Sequence, residues 1–395
     1  MNEKSNKIKL AILSFSCNFV IGSLAMITGA TLADLALEYN TDLSQIVLIG
    51  SAYSAGRVLI SLCLGKIIDK IGVTKMLGIS LLVMCLYLGL LPNCNNIVAG
   101  CIASFIGGVG FGGADASVPV ILSAAFRENI SSAFSAGQVL YGCGGFAVSY
   151  LAVLMLQLNL SYKFIYYLFI LIICFIIVGL IILAKKGIIQ PYQEDNTVRP
   201  LYTKNKLLAT LVVFIASFAY CIIANLAGTY IIPFGQGVGM NEVEAGYLLT
   251  VYNVGSVIGA IVFTPVLAKV NEKKVFLINT IVSVIALSNA FVINSKVGYF
   301  IALAVVGGFH GVLYSTILTI ATRVDYKRPG YAAALVGTGG GVGDILAPIA
   351  SSLLVKSLGI VSTFKSLIIV FSVQLLAAVF LNFLTHNHKP KNVEE

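Results

Sequence analysis

The sequence predicts an all-α membrane protein with twelve transmembrane helices in two pseudo-symmetric six-helix bundles, and three observations carry that prediction. Hydrophobic residues make up 58% of the 395 and charged residues only 10%, with a mean hydropathy of +0.97. That leaves too little polar surface to cover a water-soluble globule of this size. Apolar windows of about 20 residues, the helical length that crosses roughly 30 Å of hydrocarbon, recur twelve times. The last six windows also repeat landmarks of the first six at an offset of about 200 residues, the mark of a duplicated six-span half.

In chain order the windows cover approximately residues 8–31, 44–66, 73–92, 97–123, 131–156 and 163–185, then 206–232, 244–268, 274–294, 297–321, 331–355 and 361–385. Tyr53 and Gly56 in the second window answer to Tyr252 and Gly255 in the eighth; Gly107-Gly108 answers to Gly307-Gly308, and Gly137 to Gly337. Between the halves, residues 187–205 hold Pro191, Glu194, Asp195, Arg199 and Pro200 without apolar periodicity, which reads as a solvated linker. The expected domains are therefore residues 1–186, the linker 187–205, and residues 206–395. No removed signal peptide and no appended nucleotide-binding domain are expected. Gly337-Thr338-Gly339-Gly340-Gly341-Val342-Gly343 has no Walker lysine after it, and it reads as small residues that let helices approach closely.

Charge distribution fixes the expected topology. With the N-terminus in the cytoplasm, twenty Lys and Arg fall on the inner side, and only Lys163, Lys296, Lys356 and Lys365 fall outside. Both termini are then cytoplasmic, the chain is multi-pass in the plasma membrane, and the net charge of +9 is a topology signal and not a nucleic-acid footprint. The eight cysteines lie almost entirely inside windows without CxxC spacing, so they read as packing residues, not as disulfide or metal partners. His310, His386 and His388 are scattered, so neither a metal site, a cofactor nor an enzyme active site is expected.

Charged residues near the bilayer centre are few, Arg57, Asp115 and Asp344, with His310 as a titratable fourth. Each costs about 2.5–3.5 kcal/mol on insertion scales and so requires a partner or a wet cavity. Helical rise sets Arg57 and Asp115 at similar depth, roughly 13 Å in, and Asp344 roughly 20 Å in. Either acid could meet the long arginine side chain. An Arg57–Asp115 pair would stay within the first half, whereas an Arg57–Asp344 pair would bridge the halves as a gate. Gln138, Tyr141, Asn225 and Asn253 add amide and phenol groups suited to a small polar solute.

The segment Gly65-Lys66-Ile67-Ile68-Asp69-Lys70-Ile71-Gly72-Val73-Thr74-Lys75 hangs between the second and third windows. It resembles the loop between the second and third spans of the major facilitator superfamily. Its second copy is degenerate, with Ala268 at the place of Asp69 and Asn271 at the place of Gly72. The stretch Gly107 to Pro119, carrying Asp115, together with Gln138, resembles the fucose and glucose permease branch. The resemblance implies a transporter that works by alternating access. It also implies that Gly65, Asp69, Lys70, Gly72 and Lys75 control bundle movement, that Asp115 stands at a protonatable position, and that Gln138 faces the cavity. The function expected is secondary active transport of a small polar solute, a sugar or a small organic anion, with protons as coupling ion, by a monomer in the lipid bilayer. The alternative is an exporter of amphipathic compounds by proton antiport.

Overall fold

The computed structural model describes residues 3–41, 43–46, 48–126, 129–189 and 200–386. The first six spans are α1 (Glu3–Ala30), α4 (Leu48–Ile71), α5 (Val73–Leu90), α6 (Ile97–Ala125), α7 (Ile130–Gln157) and α8 (Lys163–Lys185). The short helices α2 (Leu32–Glu38) and α3 (Leu43–Ile46) join the first two. The second half supplies α9 (Lys206–Gly237), α10 (Glu242–Leu267), α11 (Glu272–Ile293), a tenth span made of α12 (Lys296–His310) and α13 (Leu313–Val324), α14 (Pro329–Leu358), and a twelfth made of α15 (Ile360–Lys365) and α16 (Leu367–Leu384). Among the described residues, ten segments are long and apolar enough to cross a membrane, and Leu48–Leu64 adds a shorter apolar stretch.

Local chemistry explains the ends. Asn96, Asn205 and Asn271 each cap the helix that follows by accepting a backbone N–H, and Asn241 forms a reciprocal capping box with Glu244. At Gly72 the chain turns from α4 into α5 with φ of 85°, a conformation that a side chain would strain. The tenth span departs from expectation: it breaks between His310 and Leu313 instead of running as one helix.

The helices cluster into two units. One comprises Met1–Arg127, Gly137–Asp195 and Lys327–Thr338; the other comprises Glu128–Ala136, Asn196–Tyr326 and Gly339–Glu395. Helices α7 and α14 are thus each shared, the start of α14 packing with the first unit and the start of α7 with the second. In the first unit the buried core includes Leu77, Leu81, Met84, Tyr87, Tyr166 and Phe169. In the second, Phe234 stacks on Phe364 with centroids 4.3 Å apart and meets Tyr299 edge-on at 5.0 Å. Large apolar side chains such as Phe146, Phe175 and Phe383 stand exposed on helix faces, as suits contact with lipid and not water. A two-residue strand β1 (Tyr202–Thr203) pairs antiparallel with β2 (Thr385–His386) in the second unit. Among the described residues no two cysteines are joined in a disulfide.

Candidate functional site

Glycine places the charges of the first unit. A Cβ added at Gly56 would lie 2.1 Å from the Phe105 carbonyl oxygen, and one at Gly108 would lie 1.9 Å from that of Tyr53. Helices α4 and α6 therefore meet backbone to backbone, which leaves the next turn of each to set its side chains against the other. There Arg57 Nη2 donates to Asp115 Oδ2 at 3.2 Å, with the two side chains 12% and 20% exposed. The guanidinium lies over the Phe111 ring, 5.0 Å from its centroid, and Tyr53 packs edge-on against the same ring at 5.5 Å. The Tyr53 hydroxyl is buried without a hydrogen-bond partner among the described residues. Ser61 donates to the Arg57 carbonyl at 2.8 Å.

Asp115 has a neighbour that sequence reasoning passed over. A Cβ at Gly337, in the part of α14 that belongs to this unit, would lie 3.8 Å from Asp115 Oδ2 and 3.6 Å from Ser61 Oγ. The signal was present as a glycine-rich run, but nothing in the run said which carboxylate it would border. Gln138 and Tyr141, both half-buried, follow on α7 in the same unit. The α7 backbone there presses against α1: a Cβ at Gly22 would lie 1.9 Å from the Tyr141 carbonyl oxygen, and one at Gly137 would lie 2.6 Å from Asn18 Nδ2.

The second unit repeats the interlock with different side chains. A Cβ at Gly307 would lie 2.1 Å from the Tyr252 carbonyl oxygen, and one at Gly255 would lie 2.6 Å from that of Ala304. Gly307 is therefore the counterpart of Gly108, one residue away from the pairing that the glycine doublets suggest. On that register Arg57 corresponds to Ser256, Phe111 to His310 and Asp115 to Tyr314. His310 is fully buried and stacks face to face on Tyr220 at 4.6 Å, with Phe371 edge-on at 5.3 Å. Neither of its ring nitrogens has a hydrogen-bond partner among the described residues. Tyr314 lies 5.6 Å from Tyr220. Gly311 starts the break just after His310, and a Cβ there would lie 2.2 Å from Ser256 Oγ. Asn225 and Asp344 are half-buried and Asn253 is exposed, all in this unit.

Lys70 and Lys75 are exposed on either side of Gly72. The side chains of Lys66 and Asp69 lie outside the described ones, and Gly65 is in the last turns of α4. The degenerate second copy is held differently. Asn271 caps α11, Glu272 pairs with Arg323, Lys206 Nζ donates to Asp325 at 2.7 Å, and Lys273 Nζ donates to the Thr385 carbonyl at 2.6 Å. The Leu201 N–H also donates to the Arg323 carbonyl at 2.9 Å, so the β1 end of the central segment is tied to the same cluster. Sequence reading missed this network, since its members are far apart along the chain.

A family model described as Major Facilitator Superfamily matches residues 14–234 and 209–395. The chain belongs to that superfamily, a family of transporters. Among superfamily members it is 22% identical over 395 residues to an uncharacterized MFS-type transporter, YfkL, of Bacillus subtilis, covering 98% of each chain. It is 24% identical over 389 residues to a TsgA homolog of Buchnera aphidicola, covering 97% of this chain and 99% of the other. The fold matches the superfamily transporter FucP in its outward conformation with a TM-score of 0.74 at 17% identity, over 95% of this chain and 99% of that one. It matches the proton:xylose symporter XylE at 0.74 and 14% identity, over 97% and 96%. It matches the human organic anion transporter MFSD10 at 0.70 and 12% identity, over 96% and 100%.

Proposed function

We propose that this superfamily member is a secondary carrier that moves a small polar solute, a sugar or a small organic anion, across the plasma membrane by alternating access, coupled to protons. The observation that carries the reading is the Arg57–Asp115 pair, held at matched depth by the α4–α6 glycine contact and partly open to solvent. A carboxylate that neutralises a buried arginine can exchange that partner for a proton, which releases the guanidinium for an anionic or hydroxyl-rich solute. Two solved neighbours of the same fold are a fucose:proton and a xylose:proton symporter, and a third transports organic anions.

In this reading both termini are cytoplasmic, residues 1–186 and 206–395 act as the two bundles, and the carrier works as a monomer. Gln138, Tyr141, Asn225, Asn253, His310 and Asp344 supply solute or coupling contacts. Gly65, Asp69, Lys70, Gly72 and Lys75 govern the conformational exchange. The test is uptake of labelled sugars and organic anions into proteoliposomes under an imposed pH gradient. Asp115→Asn is expected to abolish pH-driven uptake and to spare counterflow, and unchanged proton dependence would remove Asp115 from coupling. Asp69→Asn is expected to leave a folded protein with slowed transport; a rate equal to the parent would refute its gating role.

A further inference from the structure

Helices α1, α7 and α8 enclose a groove of about 770 Å³ in the first unit that shares no residue with the site above. Lys9, Ile12, Ser16 and Phe19 line it from α1, and Phe175 and Gly179 from α8. These spacings of three and four residues put each set on one helix face. The α1 stripe runs for about 15 Å, half the hydrocarbon thickness and so the depth of one leaflet. Ile12 and Phe175 stand 61% and 70% exposed, so the groove opens sideways along the helices.

Charge is confined to one end. As first and sixth spans, α1 and α8 run in opposite senses, which puts Lys9 at the same end as Lys185 and Lys186. The latter two are exposed and Lys9 is half-buried. An ammonium beside an apolar wall gains from an anion at its own depth, and a neutral headgroup offers no such partner.

We infer that this groove is a binding site for an anionic phospholipid, one acyl chain lying along Ile12, Ser16, Phe175 and Gly179 and the phosphodiester meeting Lys9, Lys185 and Lys186. The inference rests on the proposed topology only for its choice of the cytoplasmic leaflet. Gly179 supplies a clean probe, since a Cβ there would meet nothing within 4 Å. A side chain added at that position enters the groove without displacing backbone.

The experiment uses the purified full chain in detergent, titrated with phosphatidylglycerol or with phosphatidylcholine of identical acyl chains. Bound lipid is counted by native mass spectrometry and followed by thermal unfolding. Phosphatidylglycerol is expected to bind more tightly and to raise the unfolding temperature. Lys9→Gln should weaken it about fivefold without changing phosphatidylcholine binding. Gly179→Phe should remove the bound lipid while keeping the lipid-free unfolding temperature of the parent. Equal binding of the two lipids, or full phosphatidylglycerol binding by Gly179→Phe, would overturn the site. Binding in detergent does not depend on transport, so absence of solute flux in proteoliposomes counts against the carrier reading alone.

Discussion

The contact of α4 with α6 and that of α10 with α12 are the same backbone arrangement carrying opposite chemistry. In each, glycine lets one helix rest on a tyrosine carbonyl of the other: Gly108 on Tyr53, Gly307 on Tyr252. Where the first unit then places Arg57, Phe111 and Asp115, the second places Ser256, His310 and Tyr314. One position holds an ion pair over an aromatic ring, the other a stack of His310 on Tyr220 at the end of α12. The duplicated fold fixes where side chains can meet. Divergence since then has put charge in one copy and π-stacking in the other, so the two halves of a carrier with twofold pseudo-symmetry need not contribute alike to coupling.

The strongest way to break the comparison is at the glycines. Gly108→Ala and Gly307→Ala should each cost about 3 kcal/mol or more, because the new methyl would have to displace a backbone carbonyl. Gly308→Ala, whose Cβ would sit 3.5 Å from the Gly255 carbonyl oxygen, should be tolerated. Monodispersity and unfolding temperature of the three variants decide the register, and damage from Gly308→Ala equal to that from Gly307→Ala would restore the doublet alignment. Next, Asp115→Ala removes the carboxylate that accepts from Arg57 and should cost about 3 kcal/mol. Combining it with Arg57→Leu should return most of that loss, and no recovery in the double variant would show that the pair is not the relevant coupling.

The remaining two variants exchange the equivalent ring positions. His310→Phe keeps the stack and removes two buried nitrogens without partners among the described residues, so stability should rise by about 1 kcal/mol. A fall in unfolding temperature would show that those nitrogens have a partner in the working protein, and loss of uptake with stability intact would identify that partner as the solute. Phe111→His should cost the least, about 0.5–1 kcal/mol, through a weaker ring face under the Arg57 guanidinium. The measurement is thermal unfolding at a pH of about 8, where an ordinary imidazole is neutral.

The twelve spans were legible because each is an apolar run bounded by charge or a capping residue, and hydropathy averages over such runs reliably. The turn at Gly72 was legible for the same reason, since charges on both sides exclude it from hydrocarbon. The division of the tenth span at Gly311 and Val312 was not, because these two residues leave mean apolarity unchanged and keep right-handed helical dihedrals. The Arg57–Asp115 contact was readable as one of two options from helical rise, but depth alone does not report which face of each helix carries the side chain. Gly337 beside Asp115, the Glu272–Arg323 pair and the β1–β2 ladder join residues distant in sequence, and no local periodicity encodes them.

The two-residue ladder has a practical outcome for anyone labelling this carrier. Pairing of Tyr202 with His386 sets the last described residue beside the start of the seventh span. A fluorescent protein fused directly after His386 would thus sit next to Tyr202. A dye on Lys204→Cys would lie within energy-transfer range of that fusion, and the pair would report whether the stitch between them survives the transport cycle.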